Sequence, residues 1–337
     1  MSCHLSIVIP TFNRAHLIID SIPILMSLEF EEEQGFEVIF VSNGSSDNTM
    51  QVLADAAKKN DNLRSFEIAP SGGPAAPRNK GIKEASGSII VILDDDVIPD
   101  ADMLIHYTRH HKNYPAENEA VLGVAYVPEH VKTKPVSLFH EFNYTNLGKN
   151  VPICYTYFWT CNISFKRDFM LQNGMFDKLY LYNEDIVCGY KLAQAGMTLR
   201  FEEKAKGQHL HQLKLEDVAL KGRFVGKWIW ATAETTGTPQ ILDRYGVLAM
   251  NIGFFKFIKR VVNRIGFWLL DNAMTLWVLE VLGAKAPIRS KVTDFYYYLI
   301  YRKQILLGFK LAKNAYILDK KSNDKIDVIQ FVRDLEI

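Results

Sequence analysis

Three adjacent carboxylates, Asp94, Asp95 and Asp96, directly follow the short apolar run SIIVIL at residues 88–93. A β-branched run of this length predicts a buried strand that ends at the first aspartate. Ionised carboxylates crowded at a buried sheet edge repel one another, and a hard divalent cation would compensate them. Because Mg²⁺ combines carboxylates with phosphate oxygens, these residues predict a cation and phosphate site. A solvated acidic loop ahead of the next helix is the structural alternative.

Glu184 and Asp185 form a second acidic pair, at the start of a helical pattern that runs to about Ala195 and is closed by Gly196. The helix dipole favours acidic residues in a first turn, which explains the pair without any catalysis. The functional alternative is a general base that takes a proton from an acceptor hydroxyl.

Two histidines, His209 and His211, alternate in the segment QHLHQ at a predicted strand-to-loop exit, so one of them is expected to face inward. Imidazole is a common metal ligand, although a lone histidine is more often structural. In the loop SGGP at residues 71–74, backbone N–H groups around Gly72 could contact phosphate, or the loop is an ordinary turn. Arg78 follows at the start of a helix. It could pair with a phosphate or a base edge, and the alternative is an ordinary surface arginine.

The elements that must position these groups alternate between strands and helices. Strands are predicted at residues 5–10, 37–42, 64–68, 88–93, 121–127 and 199–203, and helices at 15–28, 47–59 and 76–85. Asp47 is expected to cap its helix, Pro23 to kink or split its own, and Gly87 to end the helix before it. The order predicts a mostly parallel sheet with helices on both faces. Ligands bind such sheets at the strands' carboxyl ends, where TFNR, NGSSD and DDD all lie.

Composition bounds the function classes. The chain has 337 residues and is 48% apolar, enough to bury one large α/β domain and a smaller appendage. Its 39 Lys and Arg nearly cancel its 38 Asp and Glu, which gives no general attraction to nucleic acid. The four cysteines form no CxxC pair, and the apolar N-terminal segment lacks a basic start. We therefore expect reduced thiols, no signal peptide and a cytoplasmic protein.

The composition changes after about residue 213, which predicts the α/β domain over 1–213 and a mainly helical region over 214–337. Residues 253–283 of that region mix aromatic and basic side chains. Acidic residues within 265–284 oppose a membrane span. One hypothesis is a helix on the inner surface of the plasma membrane. The other is packing against the first domain or against a second copy in a homo-oligomer.

Residues 5–212 as a whole resemble the family 2 glycosyltransferases of the GT-A fold. Five segments carry the likeness in the family's order: SIVIPTFNR, VIFVSNGSSDNT, GGPAAPRNKGIKEASGSIIVILDDD, the block from CNISFK to MTLRF, and HLHQLKLEDVALKG. The resemblance implies transfer of a sugar, with inversion, from a nucleotide-sugar donor to a glycan or lipid-linked acceptor. It also implies Mn²⁺ or Mg²⁺ as cofactor and a place in polysaccharide or cell-envelope biosynthesis.

The resemblance further implies roles for single residues. Those expected to bind the donor are Pro10, Thr11, Asn13, Asn43, Gly72, Arg78, Asp94 and Asp95. Those expected to hold the metal are Asp96, Asp94, and one of His209 and His211. Asp185 would be the base, oriented by Glu184. Where the family usually has two aspartates, this chain has Ser42 and Asn43, so UDP is expected but the base preference is open.

Four other readings compete with a glycosyltransferase, and one of them, a membrane-scaffolding protein, rests on the C-terminal region alone and does not explain the acidic clusters. A sugar nucleotidyltransferase needs a glycine-rich basic loop after the first strand, where this chain has TFNRAH. A Rossmann dehydrogenase needs GxGxxG there, which is also missing. A catalytically silent protein that binds nucleotide-sugars or glycans would not need the acidic and histidine candidates described above.

Overall fold

The computed structural model describes most of the first two thirds of the chain and three helices beyond it. The described residues are 5–33, 35–131, 144, 147–148, 151–210, 215–238, 241–242, 291–320 and 327–335, with backbone alone for 215–220 and 291–300. They fall into two compact units, one within 5–128 and 144–210, the other at 129–131 and from residue 215 onward. The predicted boundary at 213 lies in a stretch outside the described residues.

In its described residues, the first unit has an eight-stranded sheet and six α-helices. The strands are β1 (Leu5–Thr11), β2 (Phe36–Ser42), β3 (Leu63–Glu67), β4 (Ile89–Leu93), β5 (Val97–Pro99), β6 (Glu119–Tyr126), β7 (Asn162–Lys166) and β8 (Thr198–His209). The helices are α1 (Ala15–Met26), α2 (Thr49–Ala57), α3 (Ala75–Glu84), α4 (Met103–Asn113), α5 (Arg167–Gln172) and α6 (Glu184–Gln194).

The sheet has the order β3-β2-β1-β4-β7-β6-β8-β5. Strands β3, β2, β1 and β4 run parallel, as do β6 and β8, whereas β7 is antiparallel to both of its neighbours and β5 to β8. Every residue of β1 and β4 is buried, so both faces of the central strands are covered. The predicted α/β architecture with a mostly parallel sheet is confirmed, and β5 and β7 are additions to it.

A glycine sets the close packing of α3 on the sheet. A Cβ at Gly81 would lie 2.3 Å from the Val8 Cγ1 atom of β1, so any larger residue would push the helix outward. Because Arg78 stands one turn earlier on the same helix, this contact also fixes how far that side chain reaches over the strand ends.

Helix α1 continues through Pro23 and is not split there. Two predictions about helix ends were wrong. Helix α2 begins at Thr49 with Asn48 in the capping position, and Asp47 instead accepts hydrogen bonds from the N–H groups of Thr49 and Ala15. Helix α3 ends at Glu84, three residues before Gly87, whose N–H donates to the Ser6 hydroxyl at 2.9 Å. In both cases the residue makes a hydrogen bond to a distant part of the chain, Asp47 with Ala15 and Gly87 with Ser6.

The second unit contains α7 (Leu215–Thr236), α8 (Lys291–Lys320) and α9 (Val328–Asp334), in agreement with the predicted helical region. Helices α7 and α8 cross closely, because a Cβ at Gly226 would lie 2.1 Å from the Ile305 carbonyl oxygen. Residues 253–283, with their predicted surface association or packing, and residues 265–284, whose acidic residues oppose a membrane span, lie outside the described residues. Within the described ranges no helix is both long and apolar enough to cross a bilayer.

At the amino ends of β1 and β2, Glu37 is a buried carboxylate with several donors. Its Oε1 atom accepts hydrogen bonds at 2.7 Å from the Ser6 hydroxyl and from the hydroxyl and N–H of Ser86, and Oε2 accepts one from Arg64 at 3.0 Å. Burial alone would raise the pKa of Glu37, but the bonds from Ser86, Ser6 and Arg64 lower it to about 2. Glu37 therefore joins β1, β2 and the connection to β4.

We expect Glu37 to stabilise the fold by about 3 kcal/mol at neutral pH, because its pKa is depressed in the folded state. That stability is present above the unfolded pKa and is lost as the pH falls from about 5 toward 2. In Glu37→Gln, the free energy of unfolding should decrease less steeply as the pH falls over this range, as measured by urea denaturation. The exposed Glu67→Gln is the matched control and should leave the pH dependence unchanged; an unchanged slope for Glu37→Gln would contradict the assignment.

Candidate active site

The carboxyl ends of β1, β2 and β4 meet at one edge of the sheet. The register pairs Thr11 with Ser42 across β1 and β2, and β4 ends beside them at Leu93. The Thr11 hydroxyl donates to Asp95 Oδ2 at 2.6 Å, and Arg14 Nε lies 3.8 Å from Asp95 Oδ1. The structure thus brings TFNR and DDD into direct contact.

Asn13 connects the TFNR loop after β1 to the NGSSD loop after β2. It adopts the left-handed conformation, with φ of 53°, and its side-chain carbonyl accepts from the N–H of Ser46 at 2.8 Å and of Asp47 at 3.3 Å. Its own N–H donates to the Ser45 hydroxyl. Pro10, another predicted donor contact, is buried inside β1. Asn13 therefore shapes the loop that follows β1 by holding the loop after β2.

Asn43 joins the loop after β2 to the SGGP loop. Its side-chain oxygen accepts from the N–H and hydroxyl of Ser71 at 3.0 and 2.8 Å, and its amide nitrogen donates to the Gly73 carbonyl at 3.2 Å. Gly72 lies between them with φ of 77°, a conformation that glycine adopts without strain. Since the Asn43 oxygen already accepts two hydrogen bonds, a base contact from this residue would use the second amide proton and would donate.

Arg78 is buried and bridges two carboxylates from distant parts of the chain. Its guanidinium donates to Asp94 Oδ1 at 3.1 Å and to the Oε1 atom of Glu184. The Arg78 Cζ atom also lies 5.7 Å from the centre of the Phe176 ring. Burial alone would lower the pKa of Arg78, but Glu184, Asp94 and Asp185 raise it, so the side chain stays charged.

The bridge from Arg78 to Glu184 attaches the start of α6 to this edge of the sheet. Asn183, which precedes the helix, is buried and left-handed with φ of 61°. Glu184 is buried against Arg78, whereas Asp185 is only half-buried, and its Oδ1 atom accepts from the N–H of Ile186 at 2.7 Å. The two acidic residues therefore differ in environment: one is fixed in an ion pair and the other is accessible.

Asn79 and Phe176, which the sequence did not identify as site residues, fix the segment that precedes α6. Asn79 donates to the Phe176 carbonyl at 2.7 Å and accepts from the Phe176 N–H at 3.0 Å, so the segment before α6 is attached to α3. The only signal in the sequence is the adjacency of Asn79 to Arg78, which does not identify a partner 97 residues away.

The electrostatics of the strand end favour a compensating cation. Burial is the largest influence on Asp94 and raises its pKa, with Arg78 opposing this and Asp96 adding to it. Burial likewise raises the pKa of Asp95 to about 7, although the hydrogen bond from Thr11 lowers it. A nearby positive charge would stabilise the ionised form of these carboxylates.

Asp96 and His209 form the pair that best fits a metal. Val97 of β5 pairs with His209 of β8, which brings Asp96 Oδ1 to 3.3 Å from His209 Nε2, with both residues buried. Carboxylate and imidazole are both ligands of divalent transition ions. In the described part of the chain, no three or more His, Cys, Asp or Glu side chains are grouped to hold a metal. The residues thus fit an ion that takes its other ligands from a diphosphate. His211 lies outside the described residues.

Comparison with known proteins gives a family match over about half of the chain. Residues 6–170 match the profile of glycosyl transferase family 2. Over 111 residues the chain is 31% identical to poly-beta-1,6-N-acetyl-D-glucosamine synthase of Staphylococcus epidermidis, across 33% of this chain and 26% of that protein. The match therefore spans about a quarter of that relative's length.

Two solved structures share the fold. TarS residues 1–349 of S. aureus, in complex with UDP, aligns with a TM-score of 0.52 and 17% identity over 94% of this chain and 92% of that one. Mannosyltransferase PcManGT of Pyrobaculum calidifontis, in complex with GDP-Man and Mn²⁺, aligns with a TM-score of 0.56 and 15% identity over 97% and 89%. Residues 6–170 therefore form a segment of glycosyl transferase family 2, and the chain has the GT-A fold.

Proposed function

We propose that the protein transfers a hexosyl or N-acetylhexosaminyl group from a UDP-sugar to a glycan or lipid-linked acceptor, with inversion at the anomeric carbon. The observation that carries this proposal is the Arg78 bridge, which links an acidic strand end to an acidic helix start at one edge of the sheet. A diphosphate donor at the strand end would then lie next to a half-buried carboxylate, Asp185.

On the donor side, we assign nucleotide binding to the loops around Thr11, Asn13, Asn43 and Gly72. These loops are fixed to one another by the side chains of Asn13 and Asn43, so a nucleotide would meet a preformed surface. The UDP complex of TarS supports a uridine donor, whereas the GDP-Man complex of PcManGT shows that this fold also accommodates guanosine.

We assign the divalent cation, Mn²⁺ or Mg²⁺, to Asp96 and His209, with Asp94 and Asp95 facing the donor. The Mn²⁺ of PcManGT supports the assignment. A cation bound there supplies positive charge that compensates the diphosphate leaving group. Arg78 contributes in a different way, since it holds Asp94 in place while remaining engaged with Glu184.

We assign the role of general base to Asp185 and a positioning role to Glu184. Asp185 would take the proton of the acceptor hydroxyl at its Oδ2 atom while Oδ1 stays fixed by the Ile186 N–H. Glu184, paired with Arg78, keeps the first turn of α6 in place. A single displacement assisted by one base inverts the anomeric centre, so an α-linked donor yields a β-linked product.

The acceptor class follows from the relatives and is part of the proposal. The synthase of S. epidermidis is named for a glycan polymer, which supports a role in polysaccharide or cell-envelope biosynthesis. Cys154, Cys161 and Cys188 are free thiols, as expected of an enzyme that uses cytoplasmic nucleotide-sugars. We place the reaction in the domain over 1–213. The rival function, silent binding of nucleotide-sugars, predicts affinity without turnover.

The proposed activity is tested by a thermal-shift screen of nucleotide-sugars with and without Mn²⁺, followed by UDP release from the best ligand. A UDP-sugar should raise the melting temperature more in the presence of Mn²⁺, because binding to the folded state stabilises it. UDP release in the absence of acceptor separates an enzyme from a binding protein. Stabilisation without any UDP release would favour the silent alternative.

Asp185→Asn should lower the rate of UDP release by about 10²–10⁴-fold, because the variant removes the proposed base and keeps its shape. UDP affinity, measured by titration calorimetry, should change little. Asp168→Asn is the matched control, since Asp168 also lies in a first helical turn but is 72% exposed on its side chain. Turnover near the wild-type rate in Asp185→Asn would exclude its role as base.

Asp96→Ala should abolish the Mn²⁺-dependent part of the thermal shift with UDP, since it removes the proposed carboxylate ligand. Binding of Mn²⁺ in the presence of UDP can be followed directly by electron paramagnetic resonance, without reference to activity. The exposed Asp61→Ala is the control and should bind Mn²⁺ as the wild type does. Undiminished Mn²⁺ binding in Asp96→Ala would rule out the assigned site.

A further inference from the structure

Two adjacent residues of α3 hold the two ends of the segment at residues 176–183, which leads into α6. Asn79 holds its start, because its amide donates to the Phe176 carbonyl at 2.7 Å and its oxygen accepts from the Phe176 N–H at 3.0 Å. Arg78 holds its end through the ion pair with Glu184. All four side chains are buried. The position of the first turn of α6 therefore depends on one turn of α3.

The backbone is left-handed next to both of these attachments. Met175, directly before Phe176, has φ of 56°, and Asn183, directly before Glu184, has φ of 61°. This conformation is unfavourable for residues other than glycine, for methionine more than for asparagine, and it persists where the surrounding structure holds it. Loss of the hydrogen bonds from Asn79 would therefore let Met175 relax and would displace the segment that leads into α6.

The ring of Phe176 connects this attachment to the charged residues of the site. The Arg78 Cζ atom lies 5.7 Å from the ring centre, and the same guanidinium donates to Asp94 Oδ1 at 3.1 Å and to Glu184. A guanidinium within about 6 Å of a ring centre is attracted to the face of the ring. Because Asn79 fixes the backbone of Phe176, it also fixes the ring against which the guanidinium lies.

We propose that Asn79 is a positioning residue for the transfer reaction, which acts through Phe176 and keeps Asp185 within reach of the acceptor hydroxyl. This inference rests on the proposed role of Asp185 as base. The Asn79 side chain is buried and bound to the Phe176 backbone, so it acts on the reaction through its neighbours. A displacement of about 1 Å at a reacting group can lower a rate by about 100-fold. Asn79 therefore affects the rate of the reaction more than the binding of the donor, which is assigned to the loops after β1 and β2.

The proposal is tested by steady-state UDP release with Mn²⁺ from UDP-glucose and UDP-N-acetylglucosamine, using whichever donor the wild type turns over faster. Asn79→Ala should lower kcat by about 10–100-fold, because both hydrogen bonds to Phe176 are lost and Asp185 is displaced. The KM for the donor should change far less. Asn118→Ala is the matched control, since the Asn118 amide donates to the Gly196 carbonyl at 2.6 Å, just beyond the other end of α6. It should keep the wild-type kcat.

Asn79→Asp separates positioning from stability. It keeps the acceptor for the Phe176 N–H, but a carboxylate cannot donate to the Phe176 carbonyl, whereas a protonated carboxyl can. Its kcat, relative to that of the wild type at the same pH, should therefore rise as the pH falls. The comparison at each pH removes the effect of titrating Asp185. A residue that only stabilises the fold would change the folded fraction, counted by the stoichiometry of UDP binding, and would leave kcat per folded molecule unchanged.

Hydrogen exchange at the backbone amides of residues 176–187 follows the attachment without any turnover, and it should be faster in Asn79→Ala than in the wild type or Asn118→Ala. Equal kcat per folded molecule in Asn79→Ala and the wild type overturns the proposal, and so does a lower kcat with unchanged exchange. If Asn79→Ala does not fold, Asn79→Asp decides, since a constant ratio to the wild type across pH contradicts the positioning role. A wild type that releases no UDP from either donor contradicts the proposed function and removes the role of Asn79 with it.

Discussion

Arg78 lies buried between Asp94 and Glu184, which are separated by 90 residues of sequence and meet only through its guanidinium. A buried ion pair of this kind need not add net stability, but removing one member leaves a charge without compensation, typically at about 3–5 kcal/mol. The bridge fixes the position of α6 relative to the end of β4. Every role proposed for Asp185 depends on that position, because a base must lie within reach of the acceptor hydroxyl while the donor occupies the strand end.

The same edge gathers negative charge that the fold does not fully compensate. Arg78 offsets Asp94, Arg14 lies near Asp95, and His209 faces Asp96. Burial nevertheless raises the pKa of Asp94 and that of Asp95, so burial opposes the ionisation of both. A diphosphate by itself would add further negative charge. The electrostatics therefore favour a cation arriving with the donor, in keeping with a site that supplies only some of the metal's ligands.

Much of the sheet could be predicted because β1, β2 and β4 are short, continuous apolar runs, and such runs form buried parallel strands whatever their neighbours are. Strands β5 and β7 were not predicted, because both depend on pairing with strands that lie far away in the sequence. β5 has three residues and exists through its contact with the end of β8, and β7 is the antiparallel strand between β4 and β6. The helix ends at Asp47 and Gly87 were predicted wrongly for a related reason, because both residues make hydrogen bonds to distant parts of the chain.

For the candidate site, the sequence by itself determined which residue types lie at strand ends and helix starts, since periodicity locates those ends and the carboxylates are adjacent in the chain. The tertiary structure alone decided the pairings. Asn43 holds the loop at Ser71, Asn79 holds Phe176, and Glu184 rather than Asp185 is bound to Arg78. Each of these hydrogen bonds joins residues 28 to 106 positions apart, and local sequence carries no information about which distant partner the packed sheet will bring within 3 Å.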